Sequence, residues 1–423
     1  MTNRKLHFLW HDVQFLRLWS ATIISSFGDA AYFILLGWFV IRQTGSPLAL
    51  GTVLTIASIP RLIFMLIGGV LADRVNRKWI LVTSLAIRSI VLLCFSLILF
   101  STHHVHSLII DVLAAIFGTV DAFFWPASGS IVPRVVTRES LPLANSLIQT
   151  SQQLSAVMGP LIASALLLLQ HYTYMFLVVA LLYLSSSLLL VFLGLTENEP
   201  CNAESEIIPK ATTSPLQDLK SGISYALSIP ILTMIMFAAL VINVLFMGPI
   251  NIGIPVLVRS NDWSGSVYAT FEASFGLGAI AGGILIGVLK GMRGHMKWLS
   301  PIGSFMGIGL VFIGFTHIPW QGMLLMAAMG ITISVVNIPI IIYIQTIVAQ
   351  DKLGRVMSLL NFMSIGLTPV GYAGFSFLIQ SKWLVLTQSL VLAGVIMSIF
   401  WLILGLIPSF RNLEDHPLWK QAA

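Results

Sequence analysis

The sequence predicts an all-α membrane protein of twelve transmembrane helices arranged as two six-helix bundles, and three observations carry that prediction. First, 57% of the 423 residues are hydrophobic and only 9% are charged, with a mean hydropathy of +0.94; an ordinary soluble chain carries about 25% charged residues. Second, twelve apolar stretches are long enough to cross ~30 Å of hydrocarbon, which takes roughly 20 helical residues. Third, the longest polar segment, 196–217, with Glu197, Glu199, Glu204 and Glu206 among Pro, Ser and Thr, reads as a solvated linker that splits these stretches six and six.

In chain order the predicted spans are 16–41, 48–72, 79–101, 107–131, 142–169 and 173–195, then 230–257, 264–289, 297–316, 320–346, 356–380 and 383–408. All are helices, because an isolated strand in lipid leaves its backbone polar groups unsatisfied. The chain therefore divides into an N-terminal bundle (1–195), a cytosolic linker ending in an amphipathic stretch (196–229, with 216–229 amphipathic), a C-terminal bundle (230–408) and a cytosolic tail (409–423). Residues 1–11 hold no short apolar core with a cleavage site, so no removable signal peptide is expected.

Orientation follows from the basic residues. With the N-terminus inside, seventeen of the 22 Lys and Arg residues fall in cytosolic turns and tails, against three outside: Arg42, Arg259 and Lys382. Arg61 and Arg88 lie within helices. This asymmetry predicts that both termini are cytosolic. The net charge of +6 is dispersed over short turns rather than gathered on one face, which argues against nucleic acid as a partner. Cys94 and Cys201 are far apart and lack metal-ligand spacing, and His103, His104 and His106 read as exposed histidines of a short outer loop. No Walker loop, His-Glu-x-x-His set or nucleophile constellation points to an enzyme, a metal or a cofactor.

The halves look like repeats. Residues 137–147 align without gaps on 349–359, an offset of 212, and Gly68, Gly69 and Leu71 match Gly282, Gly283 and Leu285 at an offset of 214. Both matches fall at cytosolic ends of corresponding helices, which supports duplication.

Between the second and third spans, Gly69, Leu71, Ala72, Asp73, Arg74, Arg77 and Lys78 make a tight basic turn. Gly69 lets helices approach closely, Asp73 suits the positive end of another helix, and the basic group belongs in the headgroup region. The pattern resembles the loop signature of the major facilitator superfamily, with Asn76 where that family usually has Gly. Phe15, Leu16, Arg17, Leu18 and Trp19, then Ser26, Phe27, Gly28 and Asp29, resemble the start of a bacterial exporter subgroup that includes macrolide-efflux and siderophore-efflux proteins. Trp125, Pro126 and Ala127, and Ala144, Asn145 and Ser146, fit that subgroup too. Gly159 and Pro160 resemble the core of the antiporter motif, but Ala163 and Ser164 replace its usual Gly pair; a kink packed by small residues is the other reading. The resemblance implies a bacterial inner-membrane exporter of amphipathic, drug-like or macrolide-like small molecules, driven by protons through alternating access. Its partners are then a small-molecule substrate, protons and membrane lipids, with the chain a monomer. It also implies that Asp73 holds the bundles together on the cytosolic side near 353–355, with Glu139 a partner for Arg74 or Arg77. An importer or facilitator of a metabolite, or a membrane binding or signalling protein, are the alternatives.

Four charged residues lie near mid-membrane in the first half, Asp29, Arg61, Arg88 and Asp121, and Glu272 adds a fifth in the outer half of the eighth span. Each ionised residue at a helix centre costs about 2.5–3.5 kcal/mol, so they pair, take up protons or face water. Asp29 lies on a polar stripe with Thr22, Ser25, Ser26 and Tyr32 at helical spacing. It reads as a cavity site or as an ion-pair partner of Arg61 or Arg88. Asp121, among Phe117, Phe124 and Trp125, reads as a proton carrier or as half of a buried pair. Glu272, near Tyr268, Phe275 and Gly276, has no arginine in its half to pair with, and reads as the proton or cation site or as an outer-surface residue. Arg61 and Arg88 read as counter-charges. Gln149, Gln152, Asn243 and Asn337 are candidate cavity-lining residues, each equally suited to joining helices.

Overall fold

The computed structural model describes residues 9, 11–74, 76–102, 105–137, 139–194, 224–415 and 417–421, excluding the side chains of 65–74, 290, 350–351 and 421. Among the described residues there is no strand. Two compact units emerge: residues 1–35 with 56–217, and residues 36–55 with 218–423.

The first unit is built from α1 (Val13–Thr44, up to Leu35), α2 (Pro47–Arg74, from Ile56), α3 (Arg77–Ser101), α4 (Ser107–Ile131), α5 (Leu141–Leu167) and α6 (Tyr172–Val191). Local chemistry sets several ends. Asn76 caps α3 by accepting from the Lys78 amide at 3.1 Å, and the His106 ring caps α4 by accepting from the Leu108 amide at 3.3 Å. Helices α3 and α6 run antiparallel, tied by three serines. Ser187 donates to the Val82 carbonyl at 3.0 Å, Ser89 to Ala180 at 2.8 Å and Ser96 to Thr173 at 2.6 Å. The partners step by seven residues in opposite directions, which keeps all three on one seam. On α1, Ser186 of α6 donates to the Ala21 carbonyl at 2.7 Å and Trp19 donates to Ser151 of α5 at 2.9 Å. Gly159 of α5 abuts Ala30 of α1, and Pro160 is buried beside it.

The second unit contains the remainder of α1 and α2 with α7 (Pro230–Ser260), α8 (Gly265–Val288), α9 (Met296–Ile313), α10 (Pro319–Ile347), α11 (Gln350–Gly366 continued by Thr368–Gln380) and α12 (Leu386–Leu406). Helix α7 is α-helical to Gly248, loosens into a π-helical turn over Pro249–Gly253 and resumes as Ile254–Ser260. Pro249 and Pro255 lack amide donors, and the Asn251 side chain donates back to the Met247 carbonyl at 3.0 Å across the loosened turn. Helix α11 breaks at Leu367 because Pro369 cannot continue the ladder. Its first segment begins at Gln350, six residues before the expected start of 356. Helices α8 and α10 approach backbone to backbone: a Cβ on Gly278 would overlap the Ala327 carbonyl, and one on Gly330 the Phe275 carbonyl. Arg259 donates to the Ile41 carbonyl at 2.7 Å, so α7 caps the C-terminal end of α1 within this unit.

Eleven of these helices are long and apolar enough to cross a membrane. Helix α5 is not among them, because its first half is diluted by Asn145, Gln149, Thr150, Ser151, Gln152 and Gln153. Much of the expected linker, 196–223, lies outside the described residues, as does residue 195 before it; of the expected amphipathic stretch, 224–228 is helical.

Candidate functional site

Arg88 is the centre of the first unit. Its side chain is 0% exposed, so the guanidinium has surrendered its hydration and must be compensated by protein. Two carboxylates converge on it: Nη1 donates to Asp29 of α1 at 2.8 Å, and Nη2 donates to Asp121 of α4. Arg61 of α2 lies 3.8 Å from the second Asp121 oxygen. Tyr183 of α6 donates to the same Asp29 oxygen at 2.8 Å. The network is neutral overall, two arginines against two aspartates. Its aspartate side chains are 34% and 27% exposed, against 0% for Arg88.

Aromatic rings form the walls. The Arg88 guanidinium lies 4.9 Å from the Phe124 ring centre and 5.7 Å from that of Tyr183, both within cation–π range. Tyr32 stacks on Phe117 at 4.0 Å, with its hydroxyl buried and without a partner. Two other polar groups of the α1 stripe turn to their own helix, Thr22 donating to the Leu18 carbonyl and Ser25 to the Thr22 carbonyl. Gln149, Gln152 and Gln153 of α5 line an open cleft of this unit together with Trp125 and Ser146.

Glu272 of α8 stands apart within the second unit. Its Oε1 is buried without a hydrogen-bond partner, and among the described residues it makes no ion pair. Tyr268 is close enough to feel its charge. Asn243 and Asn337 line a cavity of about 310 Å³ bounded by α7, α9, α10, α11 and α12. Asn361, Ser364 and Trp401 share that lining and were not anticipated.

Of the basic-turn residues, Gly69, Asp73 and Arg74 lie on α2 with side chains outside the described residues. Arg77 donates to the Ser130 carbonyl at 2.9 Å, tying the start of α3 to the end of α4, and Lys78 sits 5.6 Å from the centre of the Trp79 ring. His103 and His104 also lie outside the described residues. Tyr183 was missed as well, and no signal could have found it: a tyrosine in an apolar helix that also carries Tyr172 and Tyr174 is compositionally ordinary.

Membrane-length helices that enclose paired charges in one unit and a lone carboxyl, a loosened helix and a cavity in the other define a multi-pass membrane transporter. The chain belongs to the Major Facilitator Superfamily, whose family model matches residues 18–369. Among curated relatives it is similar to the uncharacterised MFS-type transporter YvqJ of Bacillus subtilis, 22% identical over 85% of this chain and 86% of that one. It is 23% identical to macrolide efflux protein A of Streptococcus pyogenes (85% and 87% covered) and 24% identical to the enterobactin exporter EntS of Shigella flexneri (78% and 76% covered). In fold it resembles the nucleoside transporter NupG, with TM-score 0.67 and 13% identity over 95% of this chain and 99% of that one. A bacterial homologue of the human lysosomal transporter Spinster gives TM-score 0.67 at 17% identity, covering 95% and 96%.

Proposed function

We propose that this transporter exports amphipathic, uncharged or weakly charged small molecules from a bacterial cytosol in exchange for protons, by alternating access. The observation that carries the reading is Glu272, a membrane carboxyl with a buried, unpartnered oxygen and no ion pair among the described residues. A charge there has no compensation, and a proton removes it. A group that must be neutral in one arrangement and can release its proton in another biases the two arrangements differently, which is what coupling requires. The named exporters among its relatives support the outward direction and the amphipathic substrate.

Asp29 and Asp121 form a second proton-carrying candidate on the same reading, because protonating one carboxyl hands Arg88 to the other. The basic turn from Gly69 to Lys78 is assigned to gating, with both termini in the cytosol and the chain acting as a monomer. The test is substrate-evoked dequenching of a pH-sensitive dye in everted vesicles, against a panel of macrolides, lipophilic cations and siderophores. Dequenching present in wild type and lost in Glu272→Gln supports the assignment. Dequenching that survives Glu272→Gln and disappears in Asp121→Asn moves the proton site to Arg88 and its partners. A protein that binds a panel member and never moves it across a membrane is a receptor rather than an exporter.

A further inference from the structure

Glu272 lies on a packed seam of the second unit. Along α8, Gly265, Tyr268 and Glu272 are spaced by three and four residues, which puts them on one face of the helix. The first two seat the last turns of α1, residues 36–44, which pack within this unit. No Cβ fits at Gly265, because the Trp38 indole occupies the space, and the Tyr268 hydroxyl stands 3.6 Å from where a Cβ on Gly37 would lie. Trp38 and Tyr268 are both buried. Glu272 follows one turn further along the same face, with its Oε1 buried and unpartnered.

Three more contacts fasten this end of the unit, the end that the basic-residue asymmetry assigns to the outside. Arg259 of α7 donates to the Ile41 carbonyl of α1 at 2.7 Å, and Ser46 donates to Gln380 of α11 at 3.2 Å. Gly51 of α2 lies so close to Ser376 of α11 that no side chain fits between them, and Ser376 is 0% exposed. The ends of α1 and α2 are thus clasped by α7, α8 and α11.

A charge on Glu272 works against this clasp. The titratable and charged groups on the elements around it are Tyr268 on its own helix, Arg42 ending α1, Arg259 and Asp262 between α7 and α8, Tyr343 at the far end of α10, and Tyr372 on α11. Among the described residues neither arginine forms an ion pair with it, and Arg259 already spends a donor on Ile41. An ionised carboxylate pressed into the seam has no cation and little water, so it gains by parting the seam and hydrating. A protonated one stays packed without that penalty.

We infer that Glu272 acts through this seam: neutral, it lets the ends of α1 and α2 stay clasped; ionised, it drives the clasp open, against the latch that Arg259 makes with α1. The inference rests on the exporter reading, in which Glu272 carries the proton, and names the element that senses that proton. Opening the clasp exposes an ionised Glu272 to the outside, where proton uptake closes it again. The effect is a bias between two arrangements, which a bound substrate can override.

Ser376→Cys reports on the clasp, because Gly51 covers that position while it is shut. In a chain with Cys94→Ser and Cys201→Ser, its rate of labelling by a membrane-impermeant maleimide is measured on the purified full chain in lipid nanodiscs without substrate. Dividing by the rate for Ser381→Cys at the same pH removes the thiol's own titration. With Glu272 present the ratio should rise about ten-fold between roughly pH 5 and pH 9. Glu272→Gln should hold it at the low-pH value throughout, with Glu272→Met as a second neutral variant should the first fail to fold. Arg259→Gln should raise the ratio at low pH and keep its rise with pH. A ratio that ignores pH with Glu272 present, or that rises equally in the neutral variants, overturns the inference. If the clasp follows Glu272 while vesicles show no substrate-evoked proton release, the seam stands and the exporter reading falls. Proton release with a clasp indifferent to Glu272 does the reverse.

Discussion

Two carboxylates share one guanidinium at Arg88, and the cost of disturbing them depends on which charge is left over. Arg88→Leu strands Asp29 without a cation and leaves Asp121 with the looser Arg61 alone. Breaking a buried pair from one side costs about 3–5 kcal/mol, so thermal unfolding in detergent should shift down sharply and folded yield should fall. Adding Asp29→Asn to Arg88→Leu should recover most of that loss, because Asp121 and Arg61 still balance; a double variant no more stable than the single one contradicts the pairing. Tyr183→Phe should cost about 1.5 kcal/mol, the low end for a hydrogen bond to a charged group, because the Asp29 oxygen it leaves is still held by Arg88. The charges of this network were legible in the sequence, since an ionised residue inside an apolar run is conspicuous. Their pairing was not, because it depends on how helices rotate against one another, and the residue spacing left Asp29 and Asp121 open between proton site and ion pair.

Helices here are held by two kinds of seam. The α3–α6 seam uses serine hydroxyls every seven residues, and each such bond is worth on average only about 0.6 kcal/mol in a membrane protein; Ser89→Ala should therefore lower thermal stability barely measurably. The α8–α10 seam uses bare backbone, with no room for a methyl group at Gly278 or Gly330. Gly330→Val should abolish folded yield in fluorescence-detected size exclusion, and a well-folded variant would show that the helices can separate at little cost. Most helix positions were read within a few residues from apolar length alone, whereas α11 begins six residues before its expected start. The π-helical turn of α7 and the break in α11 were not, although Pro249, Pro255 and Pro369 were visible, because a proline can be absorbed by a kink, a π turn or a break, and packing decides which. Helix α5 shows the converse: it was read as a span despite a polar first half that keeps it below the apolarity of the other eleven.

For the molecule as a whole, the sequence separates two halves at the polar segment, whereas packing assigns residues 36–55 to the second compact unit. That assignment rests on contacts such as Arg259 to the Ile41 carbonyl and Ser46 to Gln380 at 3.2 Å, none of which has a linear signature. Orientation is testable directly. A cysteine at Ser381, beside Lys382, should react with a membrane-impermeant maleimide in intact cells, and one at Ser409 only after permeabilisation; the opposite pattern would invert the topology. Asp73→Asn should raise the reactivity of cytosolic-side cysteine probes by favouring inward-open states, and unchanged reactivity removes the gating assignment.

The central claim is that Glu272 couples substrate to protons, and purified protein in proteoliposomes tests it most directly. With an acid-inside gradient imposed, wild type should accumulate a radiolabelled macrolide uphill, whereas Glu272→Gln should exchange labelled for unlabelled macrolide at a similar rate while accumulating none. Uphill accumulation by Glu272→Gln equal to wild type would contradict the account.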